Sequence, residues 1–543
     1  METQEFKGNI VDLTNGKIFK GRLLVENGKI KSIAKDNSVT EDHFILPGLI
    51  DSHIHIESSM LIPSEFARLA VTHGTVATVS YPHEIANVLG IDGIKYMIVN
   101  GNSVPFKFFF GASSCVPATP FETAGNKIGI EELEELLSMD QIKYLSEKMN
   151  FTGVINRDEF EMQKLDVAKK HGKPADGHAP GVKGEAAKKY IEAGITTDHE
   201  CFTIEEALEK IKYGMNIQIR EGSAAKNFEA LADLIGSHPD KVLFCSDDKH
   251  PDDLLEGHIN DMYKRAISKG YDPLRVLQSI VLNPINHYKL DVGILRENDD
   301  ADFIIVDNLD NFNIKKTYIK GEMVFDGKQC LINSVRGDTP NKFIAKKIEK
   351  SQIQVPYTSG KLKVIKAFDG ELITSKLEVN PKINKGNVES DTENDILKLV
   401  VLNRYGISEP SMAFINGFGF KEGAIASSVA HDSHNVVAVG TNDDDLIEAI
   451  NKVIENKGGV VAISNNETKV LPLPVAGLMS NIDAYQVAEQ YQSIDKLAHK
   501  MGSKLRAPFM TLSFMALLVI PNLKLSDKGL FDGTTFSFTP MFN

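Results

Sequence analysis

From about residue 45 the chain settles into one repeating grammar. A short apolar run ends in polar residues, a helical stretch follows, and another apolar run begins. "FILPGLIDSH" leads into the helical "PSEFARLAVTHG", and "TVATVSYPHE", "PFKFFFGASS", "KYLSEKMN", "KPADGHA", "GITTDHE", "MNIQIREGS" and "KVLFCSDD" come after it. Runs this short, separated by helices rather than tight turns, are strands of a parallel sheet, because parallel neighbours need a long crossover between them. About eight such units predict an α/β chain built on a (β/α)8 TIM-like barrel, here over residues 45–289.

The flanks read differently. Residues 1–44 are short alternating strands with hairpin signals at Asn15-Gly16 and Asn27-Gly28. Strand patterns return after residue 290 in "ADFIIVDNL" and "FNIKKTYIKGEMVFDG". The economical expectation is one small β-sandwich domain assembled from residues 1–44 and 290–345. Residues 350–543 form a further, α+β domain, with an amphipathic helix in "DDDLIEAINKVIENKGG" that two glycines end. Within it, 373–395 is polar and turn-rich and reads as a loop or linker.

Charge and apolar content exclude several functions. The net charge is −14 with no basic cluster, so nucleic acid is not the partner and an anionic membrane surface is disfavoured. The longest apolar run, in "FMALLVIPNL", is stopped by Pro521 and is too short to span a bilayer. "METQEFKGNI" lacks the apolar core of a signal peptide. The four cysteines are scattered, which fits a reduced, cytoplasmic protein without a disulfide framework. A homo-oligomer, taken as a dimer, is the expected assembly.

In such a barrel the carboxyl ends of the strands converge on one site. "PGLIDSHIHIESS" puts His53 and His55 at the end of the first strand, two residues apart and so on one face. Later strand ends offer Glu147, His178, His199 and Asp247. A histidine at one strand end is more often a hydrogen-bonded structural residue, and an aspartate before a turn is usually a cap. The ordered set is different: four imidazoles and two carboxylates in one mouth suit a metal centre, two ions sharing a bridging carboxylate. Periodicity leaves the bridge open. Lys143, Leu145 and Glu147 share one strand face and Lys148 the other, and related barrels often bridge with a carboxylated lysine. Without a thiolate, the donors suit Mn, Fe or Zn. "HIE" at 55–57 mimics half of the zinc nucleobase-deaminase motif, but no PCxxC exists to complete it.

The order HxH, carboxylate, His, His, Asp resembles the amidohydrolase superfamily. Longer stretches resemble its adenine deaminase family: "LPGLIDSHIHIESSM", "PHEIANVLG", "SSCVPATPFETAG", "MNFTGVIN", "DGHAPG", "DHECFTIEEALEKI", "IREGSAAKN" and "DDKHPDDLLEGHI", then "SSVAHDSHNVVAVG" and "LPLPVAGLMS" towards the end. The resemblance implies His53, His55, Glu147, His178, His199 and Asp247 as metal ligands, with Glu147 in place of a modified lysine and a binuclear Mn or Fe centre. It implies adenine as substrate, hydrolysed to hypoxanthine and ammonia in purine salvage.

For that reaction Asp247 is the expected base. Glu57 and Glu84 are the candidate acids for a ring nitrogen, and the sequence does not rank them. Candidate substrate contacts are His83 and, at the end of the seventh strand, Arg220, Glu221 and Ser223. The alternative for the last three is a salt bridge and a turn. One position departs from the family: Tyr81 stands where an aspartate usually precedes Pro-His-Glu. A phenol cannot replace a carboxylate near neutral pH, so another aminopurine, a cyclic amide, or a degenerate non-catalytic protein is the alternative function. Asp51 shares the face of His53 and His55 and is a candidate to orient a ligand. His431 and His434, in "AHDSHN", are either structural residues in a turn or part of a loop over the barrel mouth.

Overall fold

A computed structural model describes residues 3–465 and 467–543. Eight strands, Leu49–Ile54, Thr75–Ser80, Lys107–Ala112, Ile142–Lys148, Ala175–Gly177, Ile195–Asp198, Asn216–Arg220 and Val242–Cys245, lie side by side in chain order, and each is parallel to its neighbours. They are numbered one to eight below. The first and second are buried at every residue, as strands covered on both faces must be, and this is why they read as apolar runs rather than alternations. The sheet closes on itself. Asp247 N donates to His53 O at 2.9 Å, and His55 N donates to Asp247 O at 3.2 Å, so the end of strand eight pairs with the end of strand one.

Strand Phe44–Pro47 carries the chain into the barrel and lies at the centre of the flanking sheet. It runs parallel to Thr3–Asp12 and antiparallel to Phe303–Val306, stitching the amino-terminal strands to those after the barrel. The boundary therefore falls after Pro47 rather than at residue 44. The strands form one seven-stranded sheet, and its first hairpins turn near Gly16 and at Asn27-Gly28, whose φ angles of 54° and 76° suit that tight turn. Ala301 N donates to Gly28 O at 2.8 Å, so the sheet curls over its own core of Ile10, Leu23, Val25, Ile30, Phe303 and Tyr318.

The last domain holds an eight-stranded mixed sheet. Helix Asp443–Glu455 is capped by Asn442, whose side chain accepts from Asp445 N, and it buries Leu446, Ala449, Ile450 and Val453. Residues 373–395 are not a linker. They contain strands Ser375–Val379, Lys382–Asn384 and Asn387–Glu389. The first is an edge strand that turns Leu377 and Val379 inward, and the other two form a short hairpin that buries Val388, so few apolar residues mark these strands and the composition imitates a loop.

This domain is tied to the barrel. Helix Ala484–Lys500 starts at Asp483, which accepts from Arg68 at 2.6 Å, and its Tyr491 hydroxyl lies 2.7 Å from His250 Nδ1. Among the described residues no helix is long and apolar enough to cross a membrane.

Candidate active site

His53, His55, Glu147, His178, His199 and Asp247 are all buried and meet in the barrel mouth. They come from five strand ends: His53 and His55 share the end of strand one, Glu147 is the last residue but one of strand four, His178 and His199 follow strands five and six directly, and Asp247 comes two residues after strand eight. Asp247 has φ +57°, a left-handed turn that aspartate tolerates better than most residues.

His53 Nε2, His55 Nε2 and Asp247 Oδ1 form a nearly equilateral triangle, with sides of 3.2, 3.3 and 3.2 Å. Donors bonded to a tetrahedral ion at about 2.0–2.1 Å stand roughly 3.3–3.4 Å apart, so the set fits a divalent metal. Glu147 divides its carboxylate between two groups. Oε1 lies 3.5 Å from His55 Nε2, while Oε2 lies 3.1 Å from His178 Nδ1 and 3.5 Å from His199 Nε2. This is the disposition of a bridge. Lys148 takes no part, because it turns the other way and pairs with Glu161 on helix Glu159–Lys170.

Carboxylates and cations around the donors hold their charge states. Burial pushes Asp247 up, but Arg220 and the imidazoles of His53 and His55 overcome it and keep the carboxylate ionised. Arg220 Nη1 lies 2.7 Å from Asp247 Oδ2 and 2.5 Å from Glu200 Oε1, with Nη2 3.0 Å from Glu200 Oε2. Glu200, which the sequence reading missed, also stands 3.4 Å from His199 Nε2. Its only sequence signal was its place after His199 in "DHE". Asp51 accepts from the His53 backbone N–H at 3.2 Å and from Ser246 N at 3.1 Å, and meets His258 Nε2 at 2.8 Å. It fixes the backbone that carries His53, not the ring.

Arg220 ends strand seven, and it, Glu221 and Ser223 are all held by neighbouring protein groups. Glu200 and Asp247 hold the two terminal nitrogens of Arg220, and its Nε has no partner among the described residues. Glu221 pairs with Arg265 at 2.5 Å, and Ser223 bonds Asp253 and the backbone N–H of His250. The salt bridge and the turn that the sequence offers as the alternative for these residues are both present in the barrel wall.

Tyr81 leaves the end of strand two and points inward beneath the cluster. Its ring stacks on His53, with centroids 3.7 Å apart and planes at 26°. Its hydroxyl donates to Asp176, which also accepts from Tyr288 at 2.8 Å and Thr197 at 2.7 Å. Burial and the Asp176 carboxylate push the phenol well above its ordinary range, so it stays neutral.

The mouth is roofed by the last domain. His55, His83, Glu84, Glu147, His178, His199, Glu200 and Asp247 line a chamber whose remaining walls are Met149, Asp248, Leu372, His431, Asp432, Phe514 and Leu517. Its volume is about 30 Å³. His431 Nδ1 donates to Glu84 Oε1 at 2.8 Å, and His434 Nε2 donates to Glu84 Oε2. Ala430 N donates to His434 Nδ1, which leaves the proton on Nε2. His83 Nε2 stands 3.1 Å from Glu84 Oε1, and His83 Nδ1 stands 3.5 Å from Glu147 Oε1. Burial pushes Glu84 up, but the imidazoles of His431, His83 and His434 hold it well below the usual carboxylate range. Glu57 lies outside this lining. Ile85 N donates to its Oε1 at 3.1 Å, Oε2 is without a protein partner, and burial with the Glu84 charge pushes it up to about 7.

Known proteins share this arrangement as sequence. Residues 44–324 match the model of the amidohydrolase family, and residues 371–537 match the adenine deaminase C-terminal domain. An adenine deaminase of Sulfurovum sp. (strain NBC37-1) is 54% identical over 98% of this chain and 99% of its own. One from Methanosarcina mazei is 50% identical over 99% of each chain, and one from Borreliella burgdorferi is 47% identical over 99% of this chain and 100% of its own. The family-model matches at the barrel and at its roof, with similarity running the length of the chain, place this protein in the adenine deaminase family of the amidohydrolases.

Proposed function

We propose that this protein hydrolyses adenine to hypoxanthine and ammonia at a binuclear metal centre. The reading rests on one geometry, Glu147 split between two histidine groups, in a chain related over its full length to adenine deaminases. His53, His55, Glu147, His178, His199 and Asp247 would hold the ions, with Mn or Fe favoured and Zn compatible with the nitrogen and oxygen donors. When bound, a divalent metal lowers the pKa of a coordinated water from about 16 towards 7 and so supplies the nucleophile.

The chain supplies the rest. Asp247 takes the proton of the attacking water with Oδ1, while Arg220 holds Oδ2 and fixes the carboxylate. Glu84, ionised and gripped from three sides, accepts from the exocyclic amino group and sets the base in place. His83 links Glu84 to the bridging Glu147. Tyr81 removes the motive for a different substrate, because it supports His53 from below and does not line the chamber. A cytoplasmic homodimer serving purine salvage is the setting this reading implies.

Ammonia release from adenine, adenosine, guanine and cytosine by Mn- or Fe-loaded protein tests it. Turnover of adenine alone is expected. No ammonia from adenine at full metal content would overturn it.

A further inference from the structure

Lys524 is fully buried on strand Leu523–Ser526 of the last domain, and among the described residues no carboxylate pairs with it. Its side chain donates instead to two backbone carbonyls, Leu372 O at 2.6 Å and Phe514 O at 2.9 Å. Leu372 and Phe514 are both walls of the chamber that covers the metal donors. We propose that Lys524 is a positioning residue for deamination: it clamps together the two apolar roof segments, around Leu372 and from Phe514 to Leu517, and so sets how the closed chamber grips adenine; this rests on the adenine deaminase reading.

Three observations carry the inference. The first is the residue itself. A buried cation without a counter-ion is costly, and burial alone pushes this ammonium down to about 7. The ammonium and the amine both keep N–H donors for the two carbonyls. An apolar side chain of similar length would serve packing at least as well, so the two hydrogen bonds are what the lysine adds.

The second is what those bonds join. Phe514 ends helix Pro508–Phe514, and Leu372 lies in the loop before strand Ser375–Val379, far away in the chain. Strand Leu523–Ser526 ties each segment at a neighbouring residue too: Leu525 N donates to Met515 O at 3.0 Å, and the Thr374 hydroxyl donates to Leu523 O at 2.8 Å. Neither Met515 nor Thr374 lines the chamber. The Lys524 bonds fall on the two residues that do.

The third is the state of the chamber. Its volume of about 30 Å³ is far below the roughly 300–1,000 Å³ of a small-molecule site. The donors beneath stand at strand ends of the closed barrel, whereas Leu372, Phe514 and Leu517 come from a loop, a helix end and a turn of the last domain. The roof is therefore the side that parts to admit a base, and the position to which it returns decides how closely the base is held. The Phe514 ring also stands 5.3 Å from the ring of His431, which holds Glu84, so the clamped segment supports the polar side of the chamber as well.

Steady-state kinetics on metal-loaded Lys524→Met and Lys524→Gln test the proposal, with ammonia release by wild type measured first. Lys524→Met should keep its metal and raise KM for adenine about tenfold, with kcat within about twofold of wild type. Lys524→Gln retains N–H donors without the charge and should recover part of the KM. An unchanged KM in Lys524→Met, or a loss confined to kcat, would overturn the role. If Lys524→Met does not fold, hydrogen exchange of wild type with and without hypoxanthine decides. Slower exchange on binding in both 372–374 and 514–517 supports the clamp, and protection of one segment alone, or of neither, overturns it. No ammonia from adenine by wild type is failure of the deaminase reading, whereas normal wild-type turnover with an unchanged KM in the variant is failure of this proposal alone.

Discussion

His431 of the last domain donates to Glu84 of the barrel at 2.8 Å, joining residues 347 positions apart in the chain. The contact makes the last domain part of the active site. Replacing His431 or His434 with alanine leaves Glu84 with one grip fewer. Loss of such an orienting partner costs roughly 10–100-fold in activity. His434→Gln keeps an N–H donor and should recover part of that loss. Steady-state kinetics on the four variants His431→Ala, His434→Ala, His434→Gln and Glu84→Gln checks it; equal rates for His434→Ala and wild type would contradict the role.

Glu147→Ala should lose metal as well as activity, because each of its oxygens faces a different histidine group. Lys148→Met should keep its metal, since Lys148 faces Glu161. Metal content by mass spectrometry after exhaustive dialysis separates the two. Chelation of wild type should abolish turnover, and Mn or Fe should restore it.

Tyr81→Phe keeps the stack on His53 and removes one of three hydrogen bonds to Asp176. The lost bond leaves a buried carboxylate less satisfied, a cost of about 1–3 kcal/mol, with adenine still turned over. Tyr81→Asp should be worse, because it loses the stack and sets a second carboxylate beside Asp176. Thermal denaturation and kinetics on both variants give the order.

Arg220→Met strands the charges of Glu200 and Asp247 in the barrel wall. Removing one partner of a buried ion pair costs about 3–5 kcal/mol. Low yield or a large fall in melting temperature is expected, and an unchanged melting temperature would contradict the arrangement.

Glu122 gives a pH signature. Its folded range is raised from 4.5 to about 8, so the folded chain holds a proton that the unfolded chain releases across that window. Stability from this group is present below about pH 4.5 and is lost as pH rises towards 8. Glu122→Gln removes the slope. The melting-temperature advantage of wild type over Glu122→Gln should therefore shrink between about pH 5 and pH 8.5, and a constant difference would refute the protonated state.

The barrel and the meeting of its strand-end side chains were legible because both follow from local rules. Apolar runs between helices mark the strands, and each ligand stands at or just past a strand end. Glu147 against Lys148 was not legible from periodicity, since both flank the same strand end and only the helix carrying Glu161 shows where the lysine goes. Strand 375–379 and the hairpin after it were missed because exposed edge strands carry the composition of loops. The roof was out of reach for a different reason: the bonds from His431 and His434 to Glu84 depend on how two domains dock, and no local pattern encodes that. The carboxylate partners of Arg220 were out of reach as well, since Glu200 and Asp247 follow other strands and no local pattern pairs them with it.

The pairing of Asp247 with the backbone of His53 and His55 has a consequence for how the protein comes into being. The catalytic cluster straddles the seam where the last strand meets the first. A barrel opened at that seam has His53 and His55 on one lip and Asp247 on the other. The reaction therefore waits for the ring to close. A nascent or locally unzipped chain should be inert, with turnover lost before the rest of the molecule comes apart.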